Sequence, residues 1–412
     1  MYSRTQELLD LYSMIWRVCP SHPPVWTRSF TPAEQQQREA GLEQFITKID
    51  EVNQLPATTG AESRMARQRF FANLREMAGS LLGFDRQQLD IIFSPAATQS
   101  AADFVAQARK FDPAIDPKDI YQAARNVWAM NGLQYFMGLE VKLTPSILAY
   151  SLLYPYTDNY LDDPAVSVIV KSKFNERFGR RINGERVHAA NNYEQKIFAL
   201  IGMIEQQWDR RKYPQVYESL IAIHLAQIKS LALLHHNGTA QNVDVTGISL
   251  EKGGTSVVAD GYLIAGNLTR EQQEFMFGYG AFLQFVDDLQ DVNDDKQAGL
   301  LTIFTQENGH TPLDELINKT LHFGIRVMEF IDCFGANGKT EPMKKILSNT
   351  AVALTVDAAG RALRYTTPAY RDMLESRSPY RFSFLENRRK NIGSRSASLM
   401  KLLDLFAEPV TV

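Results

Sequence analysis

Aspartate recurs at intervals of four in one stretch of the sequence. In Asp287-Asp-Leu-Gln-Asp291-Val-Asn-Asp-Asp295, three carboxylates have this spacing. A helix advances about 100° per residue, so Asp287, Asp291 and Asp295 would lie along one face. Two carboxylates ~4 Å apart at an effective dielectric of 20 repel each other by about 4 kcal/mol. We therefore expect this face either to remain in water or to bind cations.

The same helix is amphipathic. Gln284 and Asp288 fall within the arc of the three aspartates, whereas Phe282 and Phe285 lie on the opposite side with other apolar residues. This arrangement predicts one apolar face for the core and one acidic face.

A second acidic cluster lies far upstream, in Asp158-Asn-Tyr-Leu-Asp162-Asp163. It follows an apolar and aromatic run, residues 147–156, that should belong to the core. Two helices bearing carboxylates that faced each other across a cavity would form a site of hard oxygen ligands. Such a site suits magnesium, which takes a few carboxylates, keeps waters and binds phosphates. Either cluster alone is equally explained as a solvated acidic face, whereas the pair favours a magnesium site.

The composition is that of a globular protein with a large core. The chain has 412 residues, of which 44% are hydrophobic and 22% charged, and its formal net charge is -3. This balance gives no reason to expect a nucleic acid or an anionic membrane as partner. Two cysteines exclude a disulfide framework and a thiolate zinc cluster. No signal-peptide core or membrane-spanning stretch is evident, so we expect a cytoplasmic protein without a transmembrane segment.

Apolar residues recur at helical spacing along most of the chain. Helices are predicted over residues 3–18, 32–52, 63–82, 86–92, 95–110, 116–138, 144–163, 191–211, 215–236, 247–266, 269–295, 311–334, 339–366 and 385–406. Only Val166–Val170 is ambiguous between strand and helix. The prediction is an all-α protein, a single domain over residues 1–412.

Two adjacent glycines stand inside one of these helices. Gly253 and Gly254 are predicted to break the helix over residues 247–266 and to open a turn. Such a turn would expose backbone N–H groups near Lys252, Thr255 and Ser256.

The acidic motifs resemble those of the class I isoprenoid synthases, the all-helical superfamily of polyprenyl diphosphate, squalene/phytoene and terpene synthases. Residues 280–291, including Gln284, are similar to the second aspartate-rich motif of polyprenyl synthases. Residues 291–295 resemble the second acidic motif of phytoene synthases. The four-residue spacing from Asp287 to Asp295 matches the metal-binding triad of terpene cyclases. Residues 158–163 are similar to the first acidic motif of squalene synthases.

Two shorter segments add to this resemblance. Lys252-Gly-Gly-Thr-Ser256 is similar to the lysine–threonine segment that precedes the second motif in polyprenyl synthases. Arg364-Tyr365 stands where terpene cyclases carry a pair that contacts diphosphate. The resemblance spans roughly residues 145–370, and residues 1–115 form an N-terminal helical part outside it.

The resemblance implies a helical bundle around a central cavity, and an enzyme that ionises an allylic prenyl diphosphate with two or three magnesium ions. The metal would be bound by Asp158, Asp162, Asp163, Asp287, Asp288, Asp291 and Asp295. The diphosphate would be bound by Lys252, Thr255, Ser256, Gln284, Lys296, Arg364 and Tyr365. The central catalytic residues would be Asp158, Asp162, Asp287, Asp291 and Lys252. A homodimer is also implied.

Ionisation leaves a carbocation that needs a dry, apolar pocket. Aromatic faces stabilise cations, and Tyr154, Phe282 and Phe285 are candidates to line that pocket.

The chain departs from the chain-elongating members of the superfamily. A basic Gly-Gly-Lys-Arg-type segment is missing near the N-terminus, and Pro164-Ala-Val-Ser replaces the arginine pair that follows the first motif. Cyclisation, or coupling of two allylic diphosphates, is therefore favoured over elongation. Two alternatives stay open: an inactive helical scaffold or interaction protein with the same fold, and an all-α magnesium-dependent nucleotide pyrophosphohydrolase.

Overall fold

The computed structural model describes residues 2–26, 28–54, 61–80, 83–163, 165–234, 243–306, 311–335 and 341–392. Within these ranges the chain is all-α and has no strand, as the sequence predicts. The α-helices are α1 (Tyr2–Val18), α2 (Pro32–Gln54), α3 (Ala61–Ser80), α4 (Arg86–Ile92), α5 (Pro95–Phe111), α6 (Pro117–Phe136), α7 (Pro145–Asp162), α8 (Val168–Ile182), α9 (Asn192–Gln207), α10 (Pro214–Ser230), α11 (Val245–Ala265), α12 (Arg270–Gln290), α13 (Val292–Ala298), α14 (Asp314–Met328), α15 (Glu341–Arg361), α16 (Pro368–Glu375) and α17 (Phe382–Ile392). Short 3-10 segments cover Leu231–Leu233, Glu329–Phe334 and Leu363–Tyr365.

Local sequence signals set the starts of several helices. Ser94, Asp116 and Thr144 each accept a hydrogen bond from a backbone N–H of the first turn, and a proline follows each of them. Thr269 and Gln272 form the predicted capping box at the start of α12. These caps satisfy N–H groups that have no acceptor inside the helix. The predicted helix over residues 385–406 is confirmed as far as Ile392, and its remainder lies outside the described residues.

Two helices were not predicted. The ambiguous Val166–Val170 leads into α8, whose start is capped by Ser167. Phe174, Phe178 and Ile182 are buried at intervals of four, so the helical spacing prevails over the β-branched run at the start of α8. The short α16 begins after Thr367, whose side chain accepts from the N–H of Tyr370.

The predicted break at Gly253 and Gly254 is wrong, because α11 continues through both residues. A Cβ atom on Gly253 would lie 2.3 Å from the carbonyl oxygen of Gly280, and one on Gly280 would lie 2.1 Å from that of Gly253. A Cβ on Gly254 would lie 2.6 Å from the ring of Phe277. The glycines therefore permit close packing of α11 on α12, and the backbone N–H groups near Lys252 belong to a continuous helix.

The chain forms two compact units. Among the described residues, unit 1 contains 2–43, 222–259 and 268–392, and unit 2 contains 44–221 and 260–267. Phe277, Phe285 and Phe323 are fully buried in unit 1, and Phe104 and Phe174 are fully buried in unit 2. A single domain around a central cavity stays a prediction.

Bilayer crossing requires a long and consistently apolar helix. None of the helices found among the described residues meets this requirement.

Candidate functional site

The acidic face of unit 1 lies where α12 ends and α13 begins. The predicted single helix is interrupted at Asp291, which caps the end of α12 and the start of α13. Helical spacing nevertheless continues, since the N–H of Asp291 donates to the carbonyl oxygen of Asp287 and that of Asp295 donates to Asp291, both at 2.9 Å. The three aspartates therefore keep the four-residue periodicity on which the prediction rests.

Asp288 differs from its neighbours because it is only 7% exposed. Gln284 Nε2 donates to its Oδ1 at 2.8 Å, and Ser249 Oγ donates to its Oδ2 at 3.2 Å. Burial raises the pKa of Asp288 to about 6, which these hydrogen bonds and the charge of Lys252 oppose. Since both oxygens already accept hydrogen bonds from protein groups, Asp288 is better placed to support the site than to bind a metal directly.

Asp295 shows that the carboxylates are crowded. Burial, together with the charges of Asp288, Asp291 and Asp287, raises the pKa of Asp295 to about 7. Lys252, which lies on α11, lowers the pKa of both Asp295 and Asp288. Four carboxyl groups thus share one region, and the charge of Lys252 opposes the mutual repulsion that raises the pKa values of Asp288 and Asp295.

The other predicted residues of α11 have different environments. The hydroxyl of Thr255 donates to the carbonyl oxygen of Glu251 at 2.7 Å, and the side chain is buried. The hydroxyl of Thr255 therefore uses its hydrogen-bond donor within α11. Ser256 is half-buried one turn after Lys252.

Three predicted diphosphate-binding residues come together beside α13. Lys296 Nζ lies 4.0 Å from the ring centroid of Tyr365, and Arg364 Cζ lies 4.7 Å from the same centroid. Burial lowers the pKa of Lys296, and the charge of Arg364 lowers it further. Two cations on one aromatic ring form a small basic cluster that an anion would stabilise.

Sequence reasoning missed two residues that position this region. Ser249 binds Asp288 as described above, and it precedes Lys252 by one helical turn. Asn293 Nδ2 donates to the carbonyl oxygen of Arg361 at 3.0 Å, which fixes α13 against the end of α15. Ser249 precedes Lys252 by three residues, and Asn293 precedes Lys296 by three residues. Residues three apart are neighbours on a helix surface, so this spacing could have identified Ser249 and Asn293 from the sequence.

The first acidic cluster belongs to unit 2. Asp158 is half-buried on α7, and the side chain of Asp162, the last residue of that helix, lies outside the described residues. Asp163 is exposed, and its carboxylate accepts from the N–H of Ala165 at 2.8 Å. Asn159 Nδ2 donates to Asp119 Oδ1 at 2.9 Å.

The three aromatic residues proposed for a carbocation pocket have dissimilar surroundings. Phe282 and Phe285 are fully buried in unit 1. The ring centroid of Phe285 lies 4.6 Å from that of Trp16 and 5.5 Å from that of Phe323, so its contacts are those of a core residue. Tyr154, in unit 2, is 48% exposed.

No three or more histidine, cysteine, aspartate or glutamate side chains of the described ranges are arranged to hold a metal ion by themselves. Magnesium does not require such a set, because it is commonly bound by one or two carboxylates together with waters and substrate phosphates. The crowded carboxylates beside a basic cluster are consistent with binding of a magnesium–phosphate complex. No family model, curated protein or solved structure matches the chain.

Proposed function

We propose that the protein is a magnesium-dependent isoprenoid synthase that ionises an allylic prenyl diphosphate and then cyclises or couples the carbocation. The observation that carries the proposal is the crowding around Asp295, whose pKa is raised by burial and by three neighbouring carboxylates. A chain that concentrates ionised carboxylates in this way gains stability from binding cations.

Magnesium, when bound, would neutralise charge on the leaving diphosphate. Asp287, Asp291 and Asp295 would hold it, since Asp288 is engaged by Gln284 and Ser249. The donor set consists of carboxylates, and such hard oxygen ligands fit magnesium.

The basic side chains would bind the diphosphate itself. Lys252 is the cation within the acidic region, whereas Lys296 and Arg364 share the ring of Tyr365. Lys296 and Arg364 repel each other, so an anion between them would relieve that repulsion as well as form hydrogen bonds. Charges fixed in this way stabilise the negative charge that grows on a leaving group.

The first test is incubation of the full chain with magnesium and geranyl, farnesyl or geranylgeranyl diphosphate, followed by mass analysis of hydrocarbon products and measurement of released diphosphate. Asp287→Ala should lower turnover at least about a hundredfold, because it removes a charge that acts in the transition state. Asp294→Ala is the matched control, since Asp294 is exposed on α13 and is not among the carboxylates that raise the pKa of Asp295. Undiminished diphosphate release by Asp287→Ala would contradict the proposal.

A second candidate function is that of a helical scaffold without catalysis. The observation in its favour is that the sequence lacks two basic elements, the Gly-Gly-Lys-Arg-type segment near the N-terminus and the arginine pair after the first acidic motif. Magnesium plus diphosphate should raise the unfolding temperature if the chain binds them, because a ligand of the native state stabilises it by mass action. An unchanged unfolding temperature at millimolar ligand would favour the scaffold.

Diphosphate release from a nucleoside triphosphate, and none from prenyl substrates, would instead indicate a pyrophosphohydrolase.

The roles of Asp158 and Asp162 rest on the sequence resemblance. Asp158→Ala in the same product assay tests them. A homodimer is a further expectation from the resemblance, and a cytoplasmic location is an expectation from the sequence.

A further inference from the structure

An apolar band runs along the outer face of the second half of α10 and of the 3-10 segment that follows it. Leu225, Ile228, Leu231 and Leu234 recur at intervals of three, and their exposed fractions are 47, 40, 47 and 37%. Residues three apart are neighbours on a helix surface, so the four side chains form one continuous band, called here the aliphatic stripe. At a rise of 1.5 Å per residue the stripe is roughly 14 Å long.

The opposite face of the same stretch is also apolar. Ile223, Ala226 and Leu233 are buried. The N–H of Leu301 donates to the carbonyl oxygen of Leu233 at 2.9 Å, which fixes the end of the stretch in unit 1. A helix on a protein surface normally has one apolar face for the core and one polar face for water. Because the buried face already packs in unit 1, the aliphatic stripe is a second apolar face, and it points away from the core.

The stripe lies in a part of the chain that has few charged residues. Between Glu218 and Asp244, Lys229 is the only lysine, arginine, aspartate or glutamate. The Nζ atom of Lys229 lies 2.5 Å from a carboxylate oxygen of Glu251, so the charges of the two side chains cancel. The segment that carries the stripe therefore adds no net charge beside it.

The size and composition of the stripe fit a lipid surface better than a protein partner. Stable protein–protein interfaces use roughly 20–30 residues on each side, whereas the stripe has four. Tryptophan, tyrosine and arginine carry most of the binding energy of such interfaces, and leucine is under-represented among these residues. A lipid surface requires no complementary shape, and its binding strength increases with the apolar area that enters it. Four aliphatic side chains in one band are therefore sufficient for lipid binding.

We propose that the aliphatic stripe is a docking site for an uncharged lipid bilayer surface. Only one face of the stretch is available, because the other is packed in unit 1. The helix would therefore lie in the plane of the surface, with the four aliphatic side chains below the lipid head groups. Lys229 has a long aliphatic stem, which can lie along the apolar region while its ammonium group stays at the level of the head groups. The site shares no residue with the acidic cluster and does not depend on the proposed function.

The test is co-sedimentation of the full chain with phosphatidylcholine vesicles. The wild type should bind, and high salt should not weaken the binding, because salt screens only interactions between charges. Leu225→Gln combined with Leu231→Gln should lower the partition coefficient at least about tenfold, since two apolar side chains that would leave water are lost. Both positions are exposed and glutamine has a helix propensity close to that of leucine, so this stripe variant should fold with an unchanged unfolding temperature.

Val18→Gln combined with Leu354→Gln is the matched control. Val18 and Leu354 are aliphatic residues of unit 1 that are 73 and 38% exposed, but they lie outside the stripe, on α1 and α15. The control removes the same number of exposed aliphatic side chains, so it should bind vesicles as tightly as the wild type. An equal loss of binding in both double variants would show that general surface hydrophobicity is responsible, and it would overturn the proposal.

Analytical ultracentrifugation without lipid tests whether a second copy of the chain covers the stripe instead. The oligomeric state of the wild type and of the stripe variant should be the same. A concentration-dependent dimer that forms in the wild type and is lost in the stripe variant would assign the stripe to a second copy and overturn the proposal. Absence of wild-type binding to the vesicles, or equal binding by the wild type and the stripe variant, would also overturn it.

Discussion

At the scale of single residues, Asp260 in unit 2 is an acid buried in the protein interior. It is 3% exposed, and its Oδ1 accepts from Asn126 Nδ2 at 3.3 Å. Burial raises the pKa of Asp260 to about 7, and the hydrogen bond from Asn126 opposes this rise. The carboxyl is therefore mostly neutral below pH 7 in the folded chain, whereas it ionises near pH 4 when unfolded.

This difference makes stability depend on pH. Because the folded pKa lies above the unfolded one, the contribution of Asp260 to stability is fully present below about pH 4 and is lost as the pH rises through about 7. The loss amounts to at most roughly 4 kcal/mol. Asp260→Asn keeps the shape and removes the titration, so the variant should gain stability over the wild type between pH 5 and 8. Urea unfolding at several pH values measures this gain, and a constant difference between the two proteins would contradict it.

Asp295 leads to a different pH dependence, that of metal binding. Protons and magnesium compete for a carboxylate, and the pKa of Asp295 is raised to about 7. Under the proposed function, magnesium should bind about tenfold or more tightly at pH 8 than at pH 5.5. Calorimetric titration with magnesium chloride at both pH values measures this ratio. In the Asp295→Asn variant, the ratio of the magnesium affinities at pH 8 and pH 5.5 should be smaller. A wild-type affinity that does not depend on pH would exclude Asp295 from the metal site.

At the scale of elements, the contact between α11 and α12 depends on two glycines. Gly253→Ala and Gly280→Ala would each bring a methyl group within 2.3 Å of a backbone carbonyl oxygen, which cannot rotate away. We expect each substitution to lower the free energy of unfolding by about 3 kcal/mol or more, because the helices must move apart. Gly202→Ala on α9 is the control, since its Cβ would have no neighbour within 4 Å, and it should stabilise the protein by about 0.5–1 kcal/mol. Destabilisation of similar size in all three variants would show that the close contact between α11 and α12 is not the cause.

The elements themselves were largely predictable because their signals are local. Capping residues such as Thr144 and Thr269 act within one turn, and so the starts of α7 and α12 follow from the sequence. The role of Gly253 and Gly254 was not predictable in the same way. Their helix-breaking tendency is a local property, whereas the contact with Gly280 that overrides it joins residues far apart in the chain.

At the scale of the whole molecule, the sequence identified which residues would share a region in unit 1 but not how each would be used. The spacing of Asp287, Asp291 and Asp295 was sufficient to predict one acidic face. The hydrogen bond that Asp288 accepts from Ser249 was not predictable, because Ser249 lies on another helix. The meeting of Lys296 with Tyr365 likewise depends on packing of α13 beside the Leu363–Tyr365 segment, which no local pattern encodes.

The close crossing of α11 and α12 also has a consequence for altering the chemistry of the acidic region. Ser249 and Lys252 precede Gly253 on the same helix, so the separation of the two backbones sets how far their side chains must reach toward Asp288. Even one added methyl group at the crossing would push the two helices apart. The interactions of Ser249 and Lys252 with Asp288 would then both become longer. Redesign of this region should therefore exchange side chains along the helices and keep the glycines, since the crossing sets the distances from Ser249 and Lys252 to Asp288.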